Sequence, residues 1–111
     1  MNREEVEKAV ELIKQKFASE DVKKALKNFT RTLQMEFTDL GLSYVFYIEN
    51  GELREVKEGK IEKPDILVKG KDEDLVKVIR GEMSGVKAYS LGKMKVKGKM
   101  SDLLKLRRIF K

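Results

Sequence analysis

Residues 43–56 read SYVFYIENGELREV, and this run limits the possible folds more than any other. Asn50 and Gly51 both tolerate positive φ, as a two-residue hairpin turn requires. On the strand before the turn, Tyr44, Phe46 and Ile48 point one way while Val45 and Tyr47 point the other. Both faces are apolar, so both must be covered, which is not the default for an antiparallel sheet. Helices can cover one face. The other calls for more helices, a partner or a ligand.

The flanking patterns extend this hairpin into a domain. Leu33, Met35 and Phe37 alternate with Gln34, Glu36 and Thr38 until Gly41 breaks the run, so residues 33–57 are expected to form three consecutive antiparallel strands. Upstream, Val6, Val10, Ile13 and Phe17 keep helical spacing. Ser19 then caps a second helix with the stripe Val22, Ala25, Leu26 and Phe29. Downstream, a polar connection over 58–63 ends at Pro64, the only proline, and a short strand covers 66–68. Asp72 caps a helix carrying Leu75, Val76 and Ile79, which Gly81 closes. Residues 84–91 form a short helix or turn with Val86 and Tyr89, and residues 93–97 a fifth strand. Ser101 and Asp102 open a last helix whose Leu103, Leu104, Leu106, Ile109 and Phe110 cover more than half its circumference. The order gives an α+β fold: one domain over 1–111, with a helical hairpin over 1–31 and a five-stranded, mostly antiparallel sheet with C-terminal helices over 32–111.

Composition narrows the function. With no His and no Cys, the common nucleophile and base pairings are missing, so no catalytic residue is assigned and the chain is not expected to be an enzyme. Charged residues make up 40% of the 111, mostly Lys and Glu, a bias suited to a thermophile. The charged N-terminus and the lack of a long apolar run fit a soluble, cytoplasmic protein. Basic and acidic residues number eight and six in 1–32, four and eight in 33–65, and thirteen and five in 66–111. An anionic partner is therefore allowed in the C-terminal part. There Lys93, Lys95 and Lys97 alternate with Met94 and Val96, so the lysines form the wet face of a strand. No aromatic interleaves this ladder, which disfavours nucleic acid. Asp72-Glu73-Asp74 runs straight into Leu75 and lacks the spread of a calcium loop, so it reads as helix capping and no metal site is assigned. Met83, Met94 and Met100 can be plain core, but methionine is also common at adaptable apolar sites.

Several features fall in a recognisable order. They are Asp72-Glu73-Asp74-Leu75, Gly81, Ala88-Tyr89, Gly92-Lys93-Met94-Lys95-Val96-Lys97-Gly98 and Lys105-Leu106. Over about residues 37–106 the chain thereby resembles the lipid-binding domain of the sterol carrier protein type 2 family. It departs where that family usually has Pro (here Gly85) and Asn or Asp (here Lys99). The ending Arg108-Ile109-Phe110-Lys111 differs from the small-Lys-Leu signal of peroxisomal members. The resemblance implies a five-stranded sheet flanked by helices, an apolar tunnel for lipids or fatty acyl chains, no cofactor and no catalysis.

The expected activity is therefore non-catalytic binding or transfer of lipids or acyl chains. The expected cavity lies between the sheet and the C-terminal segment, lined by Phe46, Leu67, Met83, Val86, Tyr89, Met94, Met100, Leu103 and Leu104. Lys93, Lys95 and Lys97 are candidates for transient contact with a membrane surface or lipid headgroup. The alternative is an interaction or dimerisation module whose apolar groove takes a partner helix or a second copy of the chain.

Overall fold

The computed structural model describes residues 1–110. Five helices, α1 (Arg3–Phe17), α2 (Glu20–Ala25), α3 (Asp72–Arg80), α4 (Gly85–Ser90) and α5 (Met100–Leu106), accompany five strands, β1 (Arg31–Phe37), β2 (Leu42–Glu49), β3 (Glu52–Glu58), β4 (Ile66–Gly70) and β5 (Met94–Lys97). The strands form one mixed sheet in the order β3-β2-β1-β4-β5. Only the β1–β4 pair is parallel.

Local chemistry starts the helices where the sequence indicates. The Asn2 side chain accepts the Glu5 N–H at 2.9 Å, and Ser19 Oγ accepts the Val22 N–H at 3.1 Å. Helix α2 is shorter than its apolar stripe implies and ends at Ala25. Asn50 and Gly51 adopt positive φ as expected, at 50° and 79°. They also anchor the hairpin under α2: the Asn28 N–H donates to Asn50 Oδ1 at 2.8 Å, and the Gly51 N–H to the Phe29 carbonyl at 2.9 Å. A Cβ on Gly51 would lie 2.6 Å from the Leu26 carbonyl oxygen, so only glycine fits.

One core lies between the helices and one face of the sheet. Leu33, Met35 and Phe37 of β1, Tyr44, Phe46 and Ile48 of β2, and Ile66 and Val68 of β4 meet Val6, Val10, Ile13 and Phe17 of α1 and Leu75, Val76 and Ile79 of α3 there. Fully burying such a side chain contributes about 1.5–3 kcal/mol.

The second apolar face of β2 needs neither a partner nor a ligand. Strand β3 lies at one edge of the sheet, and β4 lies beyond β2 and β1, so residues 59–65 must cross both strands. They do so on the face opposite the core. The Ile61 N–H donates to Gln34 Oε1 at 2.9 Å, Lys60 Nζ sits 3.4 Å from Glu36, and the Asp65 carboxylate accepts from Thr32 N–H at 2.8 Å. Val45 and Gln34, register partners on this face, are both buried. The chain covers its own back.

Two helix starts differ from expectation. Asp72 is the first residue of α3, not its cap; the capping is reciprocal across the fold, with Asp72 N–H donating to Asp39 Oδ2 at 2.9 Å and Asp39 N–H to Asp72 Oδ1 at 3.1 Å. Asp102 does not cap α5 either, because Arg31 Nε donates to its Oδ2 at 2.9 Å. Helix α5 stops at Leu106, so Ile109 lies in the turn after it and Phe110 beyond that turn, not on one wide helical arc.

Candidate functional site

The C-terminal unit α4–β5–α5 is built differently from the rest of the domain. Strand β5 extends the sheet beyond β4, with Val68 opposite Val96 and Gly70 opposite Met94. Met94 and Val96 therefore share the core face of Val68. Lys95 and Lys97 stand on the outer face, the wet side foreseen for them, and Lys93 immediately precedes the strand. Helix α4, capped by Ser84, packs back onto β5. A Cβ built on Gly85 would meet Val78 at 3.6 Å, Met94 at 3.9 Å and Phe110 at 4.0 Å, so α3, α4, β5 and the chain end converge at this point. Met94, Val96, Leu103 and Phe110 are all half-buried against the core.

Outside this border the two short helices leave large apolar side chains in water. Val86 and Tyr89 of α4 are each 57% exposed, Leu91 at its end 60%, and Met100 and Leu104 of α5 69% and 54%. Met100 and Leu104 are one turn apart, so they stack on the same side of α5. Its inner side carries Leu106 and Asp102, both buried.

Polar contacts add to the buried Leu106 in holding helix α5. Besides the Arg31–Asp102 pair at its start, Lys105 Nζ lies 5.7 Å from the centre of the Phe29 ring. Past its end, Lys16 Nζ donates to the Ile109 carbonyl at 2.8 Å and also to that of Ile79, tying the chain end to α1 and α3. Burial disfavours the charged form of Lys16 and lowers its pKa.

The nine expected lining residues do not enclose one space. Phe46 is fully buried in the core, while Leu67 pairs with Gln34 and Lys97 on the opposite face of the sheet. Met83, Met94 and Leu103 are half-buried, and Val86, Tyr89, Met100 and Leu104 are exposed. Seven of the nine thus belong to the C-terminal unit or the loop leading into it, and two do not. The expected lining left out Val96 and Phe110, although the sequence placed both on apolar faces, and Leu91. The alternation of Val96 with Met94 was a signal for the first; nothing in the pattern marked Leu91 as exposed.

Two open grooves lie elsewhere. One, of about 400 Å³, runs between α1, α2 and β3 and includes Lys14, Phe17 and Leu53. The other, of about 510 Å³, runs between β4, the start of α3 and β5 and contains Met94. Among the described residues, no three His, Cys, Asp or Glu side chains come together as a metal site, and no helix is long and apolar enough to cross a membrane.

Comparison with known proteins adds an independent line of evidence. The model of the SCP-2 sterol transfer family matches residues 10–111. Sterol carrier protein 2 of Arabidopsis thaliana is 42% identical over 64 residues, which cover 56% of this chain and 52% of that protein. The chain thus spans about half the length of this relative. The crystal structure of sterol carrier protein 2 like 2 from Aedes aegypti superposes with a TM-score of 0.74 at 21% identity, covering 96% of this chain and 97% of that one. Its palmitated form, solved by NMR, gives 0.73 at 20% identity, covering 99% and 95%. A sec-alkylsulfatase from Pseudomonas sp. shares the fold over 79% of this chain but only 14% of its own, with a TM-score of 0.67 at 21% identity.

Proposed function

We propose that this chain, which belongs to the SCP-2 sterol transfer family, binds the acyl chain of a lipid or fatty acid where its core meets the α4–β5–α5 unit, and performs no chemistry on it. One observation carries the reading. Val86, Tyr89, Leu91, Met100 and Leu104 remain in water on two short helices that border the half-buried Met94, Val96, Leu103 and Phe110. Five large apolar side chains left in water on two short helices of a small domain are surface that a ligand or partner would cover.

The energetics support binding on the outer side of this unit. Helix α5 leans on the body through the Arg31–Asp102 pair, the Lys105–Phe29 contact and the buried Leu106. An acyl chain laid over the exposed Met100 and Leu104 side of α5 gains about 0.8 kcal/mol for each methylene it buries. Methionine suits such a site because its unbranched thioether adapts to different chain shapes. The palmitated form of the Aedes relative has the same fold, which favours an acyl ligand here.

The likeness to the alkylsulfatase covers a small part of that enzyme, and its reaction is not carried over. Titration of the purified chain with a fluorescent fatty acid tests the reading. Saturable binding at one site with micromolar affinity or better is the expected result. Absence of saturable binding, together with a stable dimer in solution, would favour the use of the same apolar face for a second copy.

A further inference from the structure

Strand β3 forms one edge of the sheet, and β2 is its only neighbour there among the described residues. The Gly59 N–H donates to the Ser43 carbonyl at 2.8 Å, so Ser43 and Gly59 are hydrogen-bonded partners in the β2–β3 ladder. Such pairs recur at every second residue. Lys57 therefore also turns its backbone toward β2, while Val56 and Glu58 turn their N–H and C=O groups away from it. Among the described residues, no backbone hydrogen bond reaches these groups from another element. The edge also carries apolar surface. Leu53 and Val56, both half-buried, border the open groove along α1 and α2 that Phe17 helps to line. An open edge of this kind is a template for another strand unless its side chains repel one.

Charge decides what each edge can accept. A second copy related by a two-fold axis pairs residues an even number of positions apart, because the axis keeps each face of the sheet on its own side. Within β5, the other edge, lysine then always faces lysine, so that edge repels its like. Strand β3 reads Glu52-Leu53-Arg54-Glu55-Val56-Lys57-Glu58, with signs mixed. An axis at Arg54, Glu55, Lys57 or Glu58 sets that charge against its own copy. An axis at Leu53 overlaps only residues 52–54. An axis at Val56 places Glu55 opposite Lys57 and Arg54 opposite Glu58, each twice. It also sets the outward N–H and C=O of Val56 against those of its copy, which makes a hydrogen-bonded pair at the axis.

We infer that two copies of the chain join β3 to β3, antiparallel about a two-fold axis at Val56, into one continuous sheet. Glu55 and Lys57 are register partners of Tyr47 and Val45, so they stand on the face away from the core. They already lie 3.8 Å apart along the strand, and pairing closes them with their copies into a ring of alternating charge. On the core face the two Val56 side chains meet beside the groove. Arg54 and Glu58 already engage Glu49 and Arg3 within the chain, so Glu55 and Lys57 carry the choice of register. An interface of strand size makes a weak dimer. It is also remote from the acyl-chain site, because β5 lies at the opposite end of the strand order.

Sedimentation equilibrium over a range of protein concentrations, on the intact chain and on charge variants, tests this pairing. The unaltered chain should dimerise at low salt with a Kd on the order of 100 µM. The dimer should weaken at least about threefold in about 0.5 M salt. Lys57→Glu and Glu55→Lys should each weaken it at least about tenfold, because each sets like charges opposite one another twice. The double swap Glu55→Lys, Lys57→Glu should restore it. Mixing the two single variants should also restore it, since each then finds its complement in the other. Both side chains are exposed, and amide spectra confirm that every variant keeps the fold. In the unaltered chain, amide shifts that grow with concentration should fall on residues 54–58. A chain that stays monomeric to about 1 mM would overturn the inference. So would single variants that dimerise like the parent, a swap that fails to restore the dimer, or shifts on α4 and α5 in place of β3.

Discussion

Replacing Leu104 by Gln separates a ligand contact from a core contact on one helix. Leu104 lies on the outer side of α5, and Leu106, two residues on, lies on the buried side. A Gln at 104 keeps its amide in water, so the unfolding free energy should change by no more than about 0.5 kcal/mol, as for an ordinary surface substitution. The melting temperature then moves by no more than about 3 °C. Fully burying a leucine is worth about 1.5–3 kcal/mol. Roughly half of that side chain is already covered, so covering the rest with an acyl chain contributes about 1 kcal/mol, or about fivefold in affinity. Leu106→Ala is the contrast, with an expected loss of about 2–5 kcal/mol of stability from the cavity it leaves. Urea denaturation and titration with a fluorescent fatty acid, run on the same preparations, read both quantities. If Leu104→Gln lost more than about 2 kcal/mol of stability with unchanged affinity, Leu104 would be core, and the reasoning about α5 would be wrong.

Three further substitutions test other parts of the account. The Tyr44 hydroxyl is buried without a hydrogen-bond partner, so Tyr44→Phe should leave stability unchanged or raise it by about 1 kcal/mol in urea denaturation. Gly51→Ala places a methyl at positive φ against the Leu26 carbonyl and should cost at least about 1–3 kcal/mol by the same assay. Glu36 is pushed upward by burial, but the Gln34 hydrogen bond and the Lys60 charge outweigh this and hold its pKa below the ordinary 4.5. Its folded pKa is depressed, so its contribution is present above the unfolded value and disappears as pH falls through the folded one. Glu36→Gln should therefore reduce the loss of stability measured below about pH 4.5 while leaving the remainder of the pH profile unchanged.

Much of the fold follows from side-chain alternation. Leu33, Met35 and Phe37 announce β1, and the two-sided run of 44–48 with Asn50-Gly51 announces the hairpin of β2 and β3. The parallel β1–β4 pairing was not legible because it depends on a crossover whose residues, 59–65, are mostly polar and look like an ordinary loop. That crossover is also what buries Val45, so the two-faced strand proved weaker evidence for a ligand than it had looked. In the site, the lysine ladder correctly assigned the faces of β5. On β4, Ile66, Leu67 and Val68 are all apolar, and nothing in that run separates Leu67 from the core residues beside it. The end of α5 was hidden for a similar reason: Leu106, Ile109 and Phe110 keep helical spacing although the helix stops at Leu106, and Ile109 reaches the core through the turn that follows.

The positions of the five methionines offer the most direct test of the central claim. Met83, Met94 and Met100 lie in or beside the C-terminal unit, Met35 is buried beneath the centre of the sheet, and Met1 is exposed at the chain start. With the methionine methyl groups labelled with carbon-13, NMR titration with oleate should shift Met83, Met94 and Met100 saturably and together, at one oleate per chain, while Met1 stays in place and Met35 moves least among the buried signals. Shifts that never saturate, or that fall chiefly on Met1, would contradict acyl-chain binding at the border between the core and α4–β5–α5.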